Sequence, residues 1–164
     1  MITLTGERDE HGPAIERLLD SAFGEERPHK TSQRLRDGNS RAQAYSVVAL
    51  NGDALVGTVR LWPVLAGRRR ALLLGPLAVD AAWREHGVGA ALMNEALQRA
   101  QAAGEGAVML VGDAAYYRRF GFRPDLTRDL WLPGPVDRKR FLAREFRAAA
   151  LRGAAGPEIG RAHV

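Results

Sequence analysis

Two glycines separated by one residue stand where an apolar, strand-like stretch gives way to a helical pattern. Leu77-Ala78-Val79 is followed by a polar turn that contains Arg84, and then by Gly87-Val88-Gly89. The first turn of a helix has backbone N–H groups without intrahelical partners and carries the positive end of the helix dipole. Because glycine lacks a side chain, an anion can come close to these donors, and Arg84 adds positive charge. The pattern predicts a cradle for a diphosphate.

The two glycines are also compatible with different roles. Glycines permit a tight turn between a strand and a helix without binding anything. A Walker A loop would end in Gly-Lys followed by Ser or Thr, which Ala90 and Ala91 do not supply. The dinucleotide fingerprint requires Gly or Ala where Leu92 stands, although Asp113 ends the next apolar run, where a ribose-binding acid would be expected.

A pair of adjacent tyrosines is the second chemically informative feature. Tyr116 and Tyr117 lie between Asp113, a good helix N-cap, and Gly121, which would end a short helix. Packing alone would account for such a pair. If the apolar run 107–111 is a strand parallel to 77–79, however, the tyrosines lie at the carboxyl end of the sheet, where α/β proteins bind ligands. A phenol has an ordinary pKa of about 10, so it is protonated at neutral pH.

Hydrophobic periodicity predicts the elements that position these residues. A helix is expected from Asp9 until Gly24 stops it, and the polar segment from His29 to Asp37 is expected to be a short helix or a lid. Asn51-Gly52-Asp53 between two β-rich runs is typical of a hairpin. Strands are expected at residues 2–5, 45–50, 55–65, 71–79, 107–111 and 140–146.

A long amphipathic helix is predicted between two of these strands. It follows Gly87-Val88-Gly89, ends at Gly104, and buries Leu92, Met93, Ala96, Leu97, Ala100 and Ala103. The strands on either side of such a crossover run parallel. The predicted fold class is therefore α/β with a mixed, mostly antiparallel sheet, a central parallel β-α-β unit and flanking helices. Residues 1–164 are expected to form one domain, with the last ten or so, rich in Gly, Ala and Pro, loosely ordered.

Composition excludes several classes of protein. A chain of 164 residues, with 46% hydrophobic and 26% charged residues, is typical of one globular domain. It has no apolar run long enough to span a bilayer and no signal-peptide pattern, so we expect a cytoplasmic protein that does not cross a membrane. It has no cysteine and only four scattered histidines, so we expect neither a disulfide nor a bound metal ion. The net charge of +5 suits a polyphosphate ligand, and since the arginines are spread along the chain, nucleic acid is not an expected partner.

Together the two features resemble a known family. Arg84-x-x-Gly87-x-Gly89-Ala90 after Leu77-Ala78-Val79, with Tyr117-x-x-Phe120-Gly121-Phe122 further on, resembles the GNAT superfamily of acyl-CoA-dependent N-acyltransferases. The motif similarity covers residues 72–122, and the predicted order of elements before it also fits. The resemblance implies that acetyl-CoA is the co-substrate, that no metal takes part, and that an amine attacks the acetyl group directly in a ternary complex.

The resemblance also implies roles for individual residues. Tyr117 would be the general acid, and Tyr116 would pack inward. The backbone of Leu77 to Val79 would pair with the pantetheine arm, with the amide near Val79 facing the thioester carbonyl. Asp113 is a further expected coenzyme contact, although the Asn that the family often has before the tyrosine helix is missing. The diphosphate would be held by Arg84, Glu85, His86, Gly87, Val88, Gly89 and Ala90, and Ala78 completes the set of expected coenzyme-binding residues.

The acceptor side is less defined. Arg60 and Trp62 on the third strand, with His29 and the polar segment after it, are expected to line an acceptor pocket, in which Arg60 would favour a carboxylate. Residues 72–79 contain no acid, so Glu145, His29 or a chain of water molecules is the expected proton acceptor.

A small amine or an amino acid is the expected acceptor. An amine on a protein or on an aminoacyl-RNA, and a non-catalytic acyl-CoA-binding module, are the alternatives. A homodimer through an exposed C-terminal strand is compatible with the sequence.

Overall fold

The computed structural model describes residues 1–24 and 45–160, which are built around one eight-stranded sheet. His29 and the segment predicted to be a lid lie outside the described residues. The helices are α1 (Gly12–Phe23), α2 (Val88–Ala102) and α3 (Ala114–Tyr117). The strands are β1 (Ile2–Gly6), β2 (Val47–Asn51), β3 (Ala54–Ala66), β4 (Arg69–Val79), β5 (Ala107–Val111), β6 (Leu130–Trp131), β7 (Phe141–Glu145) and β8 (Gly156–Gly160).

The sheet has the mixed topology that the sequence predicts. Its main strand order is β1-β2-β3-β4-β5-β7, and each neighbouring pair along this path is antiparallel except β4 and β5, which are parallel. Helix α2 forms the crossover between the two parallel strands. The predicted fold class is confirmed, and so is the hairpin between β2 and β3, whose turn places Gly52 at φ +61°.

The two faces of the sheet are covered by different elements. Helix α2 buries Leu92, Met93 and Leu97 against one face, with Phe120 and Phe122 completing that core. On the opposite face, α1 packs its buried residues Ile15, Leu18 and Leu19 over β2 and β4. The C-terminal segment covers the rest of that face through residues that include Leu130, Leu132, Ala150 and Leu151.

Strands β4 and β5 separate after a short stretch of pairing. Only Leu72 with Val108 and Leu73 with Met109 are in register, whereas β4 stays paired with β3 as far as Val79. The cis peptide bond between Gly75 and Pro76 lies shortly after Leu73, the last residue of β4 that pairs with β5. A gap therefore opens between the carboxyl-terminal halves of the two parallel strands.

The structure differs from two expectations about the chain. Part of the C-terminal stretch expected to be loosely ordered forms β8, which pairs with β3 on one side and with β6 on the other. Its Gly-Pro composition hides this strand because long-range pairing, and not local propensity, orders it. Ala103, predicted to be buried, is exposed because it caps the end of α2, just before Gly104 at φ +88°.

Two further facts bear on partners. Within residues 1–24 and 45–160, no helix has the length and apolar character that a membrane crossing requires. The outer edge of β7 is partly covered, since Ala143 exchanges two backbone hydrogen bonds with Arg123. This contact shortens the strand edge that a second copy of the chain could use.

Candidate functional site

The N-terminal end of helix α2, called its mouth below, presents backbone donors that have no acceptor among residues 1–24 and 45–160. The first hydrogen bond of the helix runs from Ala91 N–H to the carbonyl of Gly87, so the N–H groups of Val88, Gly89 and Ala90 have no acceptor within the helix. Gly87 is exposed and caps the helix in a left-handed conformation, at φ +75°. The predicted donors are therefore present at the end of the helix where the dipole favours an anion.

The loop before the helix has an unusual backbone. Glu85 has φ +69°, which is uncommon for a residue with a side chain, and Gly87 two residues later is also left-handed. The loop is anchored at its start by Asp80, whose carboxylate accepts a hydrogen bond from Ala82 N–H at 2.9 Å. The side chains of Glu85 and His86 are exposed. A strained residue kept in a loop that leads to unpaired donors is a feature of ligand sites.

One edge of β4 is open where it passes the gap. Asp80 N–H donates to the carbonyl of Val56 on the β3 side, so by the alternation of a strand the peptide groups of Leu77 and Val79 face the other side. A hydrogen bond from Arg84 supports this direction of the Val79 peptide group, because the Arg84 Nε donates to the carbonyl of Val79 at 3.3 Å and does not belong to β3. In the described part of the chain, no strand pairs with this edge. An extended ligand can form hydrogen bonds with it as a further strand would.

Gly89 marks the point where three elements meet. A Cβ atom placed on Gly89 would lie 3.7 Å from Cγ2 of Val79 and 3.8 Å from the hydroxyl of Tyr116. The N-terminal end of α2, the end of β4 at Val79 and helix α3 at Tyr116 therefore lie side by side, and we call this place the corner at Gly89. The structure brings the predicted diphosphate cradle, the predicted pantetheine strand and the tyrosine helix together there.

Tyr117 follows β5 on helix α3. Asp113 caps this helix by accepting a hydrogen bond from Ala115 N–H at 3.0 Å. The Tyr117 ring is half-buried and lies edge-on to Phe122 and Tyr116, with ring centres 6.1 Å and 4.9 Å away. Burial raises the pKa of the phenol above its usual value of 10.0, the nearby Tyr116 raises it further, and Arg140 opposes the shift. The phenol is therefore protonated throughout the neutral pH range.

Gly112 makes room for the Tyr117 ring, which suggests a test of its position. A Cβ on Gly112 would overlap atoms Cε2 and Cδ2 of that ring. We expect Gly112→Ala to displace the phenol and to lower kcat about tenfold, because catalytic groups tolerate little displacement, with a smaller change in coenzyme affinity. Steady-state kinetics and calorimetric titration with coenzyme A check this. A normal kcat in a folded variant would show that the ring position does not matter.

Arg60 is held by carboxylates and is not available for a substrate. Its Nε lies 2.9 Å from Oε1 of Glu7, and a second nitrogen lies 3.2 Å from Oε2 of the same residue. Glu16 approaches from α1 at 3.4 Å. The side chains of Arg60 and Glu7 are only 11% and 1% exposed. The expectation that Arg60 would bind a substrate carboxylate is not supported, because its guanidinium already has a bidentate partner.

Trp62 lies beside the start of the gap. Its indole Nε1 donates to the carbonyl of Gly75 at 2.6 Å, where β4 leaves β5. The ring is half-buried, so one part of it reaches the surface. Its role in acceptor binding stays a prediction.

Glu145 is too far away to be the proton acceptor near Tyr117. It pairs with Ala107 at the start of β5, whereas Tyr117 follows Val111 at the other end of that strand. Four residues along a strand correspond to about 13 Å. The carboxylate is also engaged, since it accepts a hydrogen bond from Leu151 N–H at 2.8 Å. The expectation for Glu145 is therefore wrong.

Among the described residues, no group of three or more His, Asp or Glu side chains could hold a metal ion.

Two residues near these elements have surroundings that the sequence does not reveal. Glu7 is polar and next to a short strand, and nothing in the sequence indicates that it would be buried with Arg60. Tyr116 is expected to pack inward, and its ring does contact the core, yet its hydroxyl reaches the corner at Gly89. Because Tyr116 and Tyr117 are adjacent and identical, no local signal tells the directions of their side chains apart.

The sequence of this chain matches a known protein family. Residues 12–122 match the acetyltransferase (GNAT) family. The chain belongs to the GNAT family. The predictions of this family and of an acetyl-CoA-dependent N-acetyltransferase are confirmed.

Two solved GNAT structures are similar to this chain. The N-acetyltransferase YhbS of Escherichia coli is 30% identical over 147 residues, which are 88% of this chain and 87% of that protein. The crystal structure of YhbS in complex with CoA has a TM-score of 0.82 and 29% identity, and covers 99% of this chain and 91% of YhbS. A GNAT family acetyltransferase from Brucella melitensis in complex with acetyl-CoA has a TM-score of 0.66 and 26% identity, with 89% and 88% covered.

Proposed function

We propose that this GNAT protein transfers an acetyl group from acetyl-CoA to a small primary amine, which attacks directly in a ternary complex. The observation that carries the proposal is the corner at Gly89. There the N–H groups of α2 that have no acceptor within the helix meet the open edge of β4 and the tyrosine helix. The coenzyme complexes of YhbS and of the Brucella protein support the same ligand for this chain.

The donor groups fit the parts of coenzyme A. The N–H groups of Val88, Gly89 and Ala90, with the loop from Arg84 to Gly87, suit two adjacent phosphates, because charge and direction agree. The edge of β4 at Leu77 and Val79 suits the amides of the pantetheine arm. Asp113 lies at the start of α3 and stays a predicted contact, although its carboxylate already caps the helix.

The chemistry needs two groups from this chain. Negative charge develops on the thioester carbonyl oxygen as the amine attacks, and we assign its stabilisation to a backbone N–H of the open edge of β4, at Leu77 or Val79. The departing thiolate needs a proton, which we assign to the Tyr117 phenol. Burial favours the protonated form of that phenol and so supports the assignment.

The acceptor is proposed as an amine without a required carboxylate. The expectation of an amino acid depends on Arg60 as the partner of its carboxylate, and the contact between Arg60 and Glu7 removes that argument. Strand β4 carries no acid after Arg70, and Asp80 caps the following turn, so we assign removal of the amine proton to water at the backbone carbonyls of β4.

A thermal-shift experiment tests the coenzyme directly. A ligand at about 100 times its Kd stabilises the folded state by about 2.7 kcal/mol. For a chain of this size we expect acetyl-CoA to raise Tm by about 5–10 °C, and NAD at equal concentration to leave Tm unchanged. A larger shift with NAD and none with acetyl-CoA would contradict the proposal.

An amine panel then identifies the acceptor. Release of free thiol from acetyl-CoA would be measured with small amines, amino acids and peptides that have a free N-terminus. Turnover of small amines that is insensitive to salt favours the proposed class. A requirement for peptides, with a rate that falls steeply as salt rises, would instead indicate a charged macromolecular acceptor.

A further inference from the structure

The hydroxyl of Tyr116 lies at the mouth of α2. It is 3.8 Å from the position that a Cβ atom of Gly89 would occupy, in the first turn of that helix. The residue is half-buried, and its ring packs at the edge of the core between α2 and the sheet. Tyr116 therefore has an apolar body in the protein and a polar tip at the cradle.

The ring of Tyr116 is held from two sides. The guanidinium carbon of Arg119 lies 4.5 Å from the ring centre, which is a cation–π contact. Tyr117 meets the ring edge-on, with 4.9 Å between the ring centres and an angle of 87° between the planes. These contacts fix the direction of the hydroxyl without using its proton. The hydroxyl makes no hydrogen bond with any other residue in the part of the chain that the structure describes.

We propose that the Tyr116 hydroxyl donates a hydrogen bond to a phosphate oxygen of the bound coenzyme. The inference rests on the proposed function. It gives the cradle donors from two elements, the backbone of α2 and a side chain of α3. It also separates the roles of the two adjacent phenols, because Tyr116 binds the coenzyme and Tyr117 supplies the proton.

Calorimetric titration with coenzyme A tests this role in four proteins: the wild type, Tyr116→Phe, Tyr117→Phe and Tyr45→Phe. Tyr45 is the matched control, because its hydroxyl donates to Glu105 at 2.9 Å, at the far end of α2. Hydrogen bonds to charged acceptors are the stronger ones. We expect Tyr116→Phe to raise Kd about tenfold, and the other two variants to bind as the wild type does. Equal Kd for Tyr116→Phe and the wild type would overturn the inference.

A truncated substrate tests whether the hydrogen bond of the Tyr116 hydroxyl is made to the diphosphate. S-acetylpantetheine has the thioester and the pantetheine arm but no diphosphate. We expect Tyr116→Phe to lower kcat/KM for acetyl-CoA about tenfold and to leave kcat/KM for S-acetylpantetheine unchanged. An equal loss with both substrates would place the hydroxyl away from the phosphates and overturn the proposal. If the wild type itself does not bind coenzyme A, the proposed function fails, which is a separate outcome.

Discussion

Replacement of Gly89 by valine is expected to abolish binding of coenzyme A while the chain still folds. The backbone of Gly89 is helical, and a Cβ there would meet Val79 and Tyr116 only at ordinary contact distances, so the folded state tolerates a Cβ at this position. The same side chain would occupy the corner where we place the diphosphate. We expect Kd to rise more than about 100-fold, which is about 2.7 kcal/mol of binding free energy.

Calorimetric titration with coenzyme A, beside the circular dichroism spectrum and Tm of the free protein, measures this effect. Ala102→Val is the matched control, because it adds the same β-branched side chain at an exposed position in the last turn of the same helix. The control should bind coenzyme A normally. Normal binding by a folded Gly89→Val protein would show that the diphosphate lies elsewhere.

Tyr117→Phe is expected to lower kcat about 100-fold, the usual contribution of a general acid. The ring and its contacts with Phe122 and Tyr116 are kept, so the fold and the coenzyme site should be retained. The loss should appear in kcat and not in the Kd of coenzyme A, because the phenol acts only on the departing thiolate. An unaltered kcat would assign the proton to water or to another residue.

The pH dependence of kcat gives a second measure of the same group. The pKa of Tyr117 is raised above 10.0, first by burial and then by Tyr116, so the active protonated form persists as pH rises past that value. We expect the alkaline decrease of the wild-type kcat to lie above pH 10, and to be absent from the residual activity of Tyr117→Phe. A decrease centred well below pH 10 that Tyr117→Phe retains would belong to another group.

The sequence predicts the central part of the fold well, because local patterns and backbone chemistry determine it. The glycines at 87 and 89 and the periodicity of α2 locate a helix mouth after a strand, and the β-α-β connection then requires β4 and β5 to be parallel. The open edge of β4 at Leu77 to Val79 follows from the same elements. These features can be predicted without knowing which distant side chains contact one another.

The features that the sequence does not reveal depend on long-range contacts. Whether Arg60 is free depends on Glu7, which is far away in the sequence and reaches it across neighbouring strands. Strand β8 exists because β3 and β6 provide partners for it. The Tyr116 ring packs against the core as predicted. The position of its hydroxyl beside Gly89 of α2 is a contact between two elements that no local pattern encodes.

The brief contact between β4 and β5 has a mechanical consequence. Only two pairs of residues in register join these strands, so the main path of the sheet has a seam along its middle. A molecule that binds between β4 and β5 would connect the strands β1 to β4 with the strands β5 and β7. Amide hydrogens beside the seam would then exchange more slowly with solvent when this molecule is bound, and both groups of strands would resist separation together.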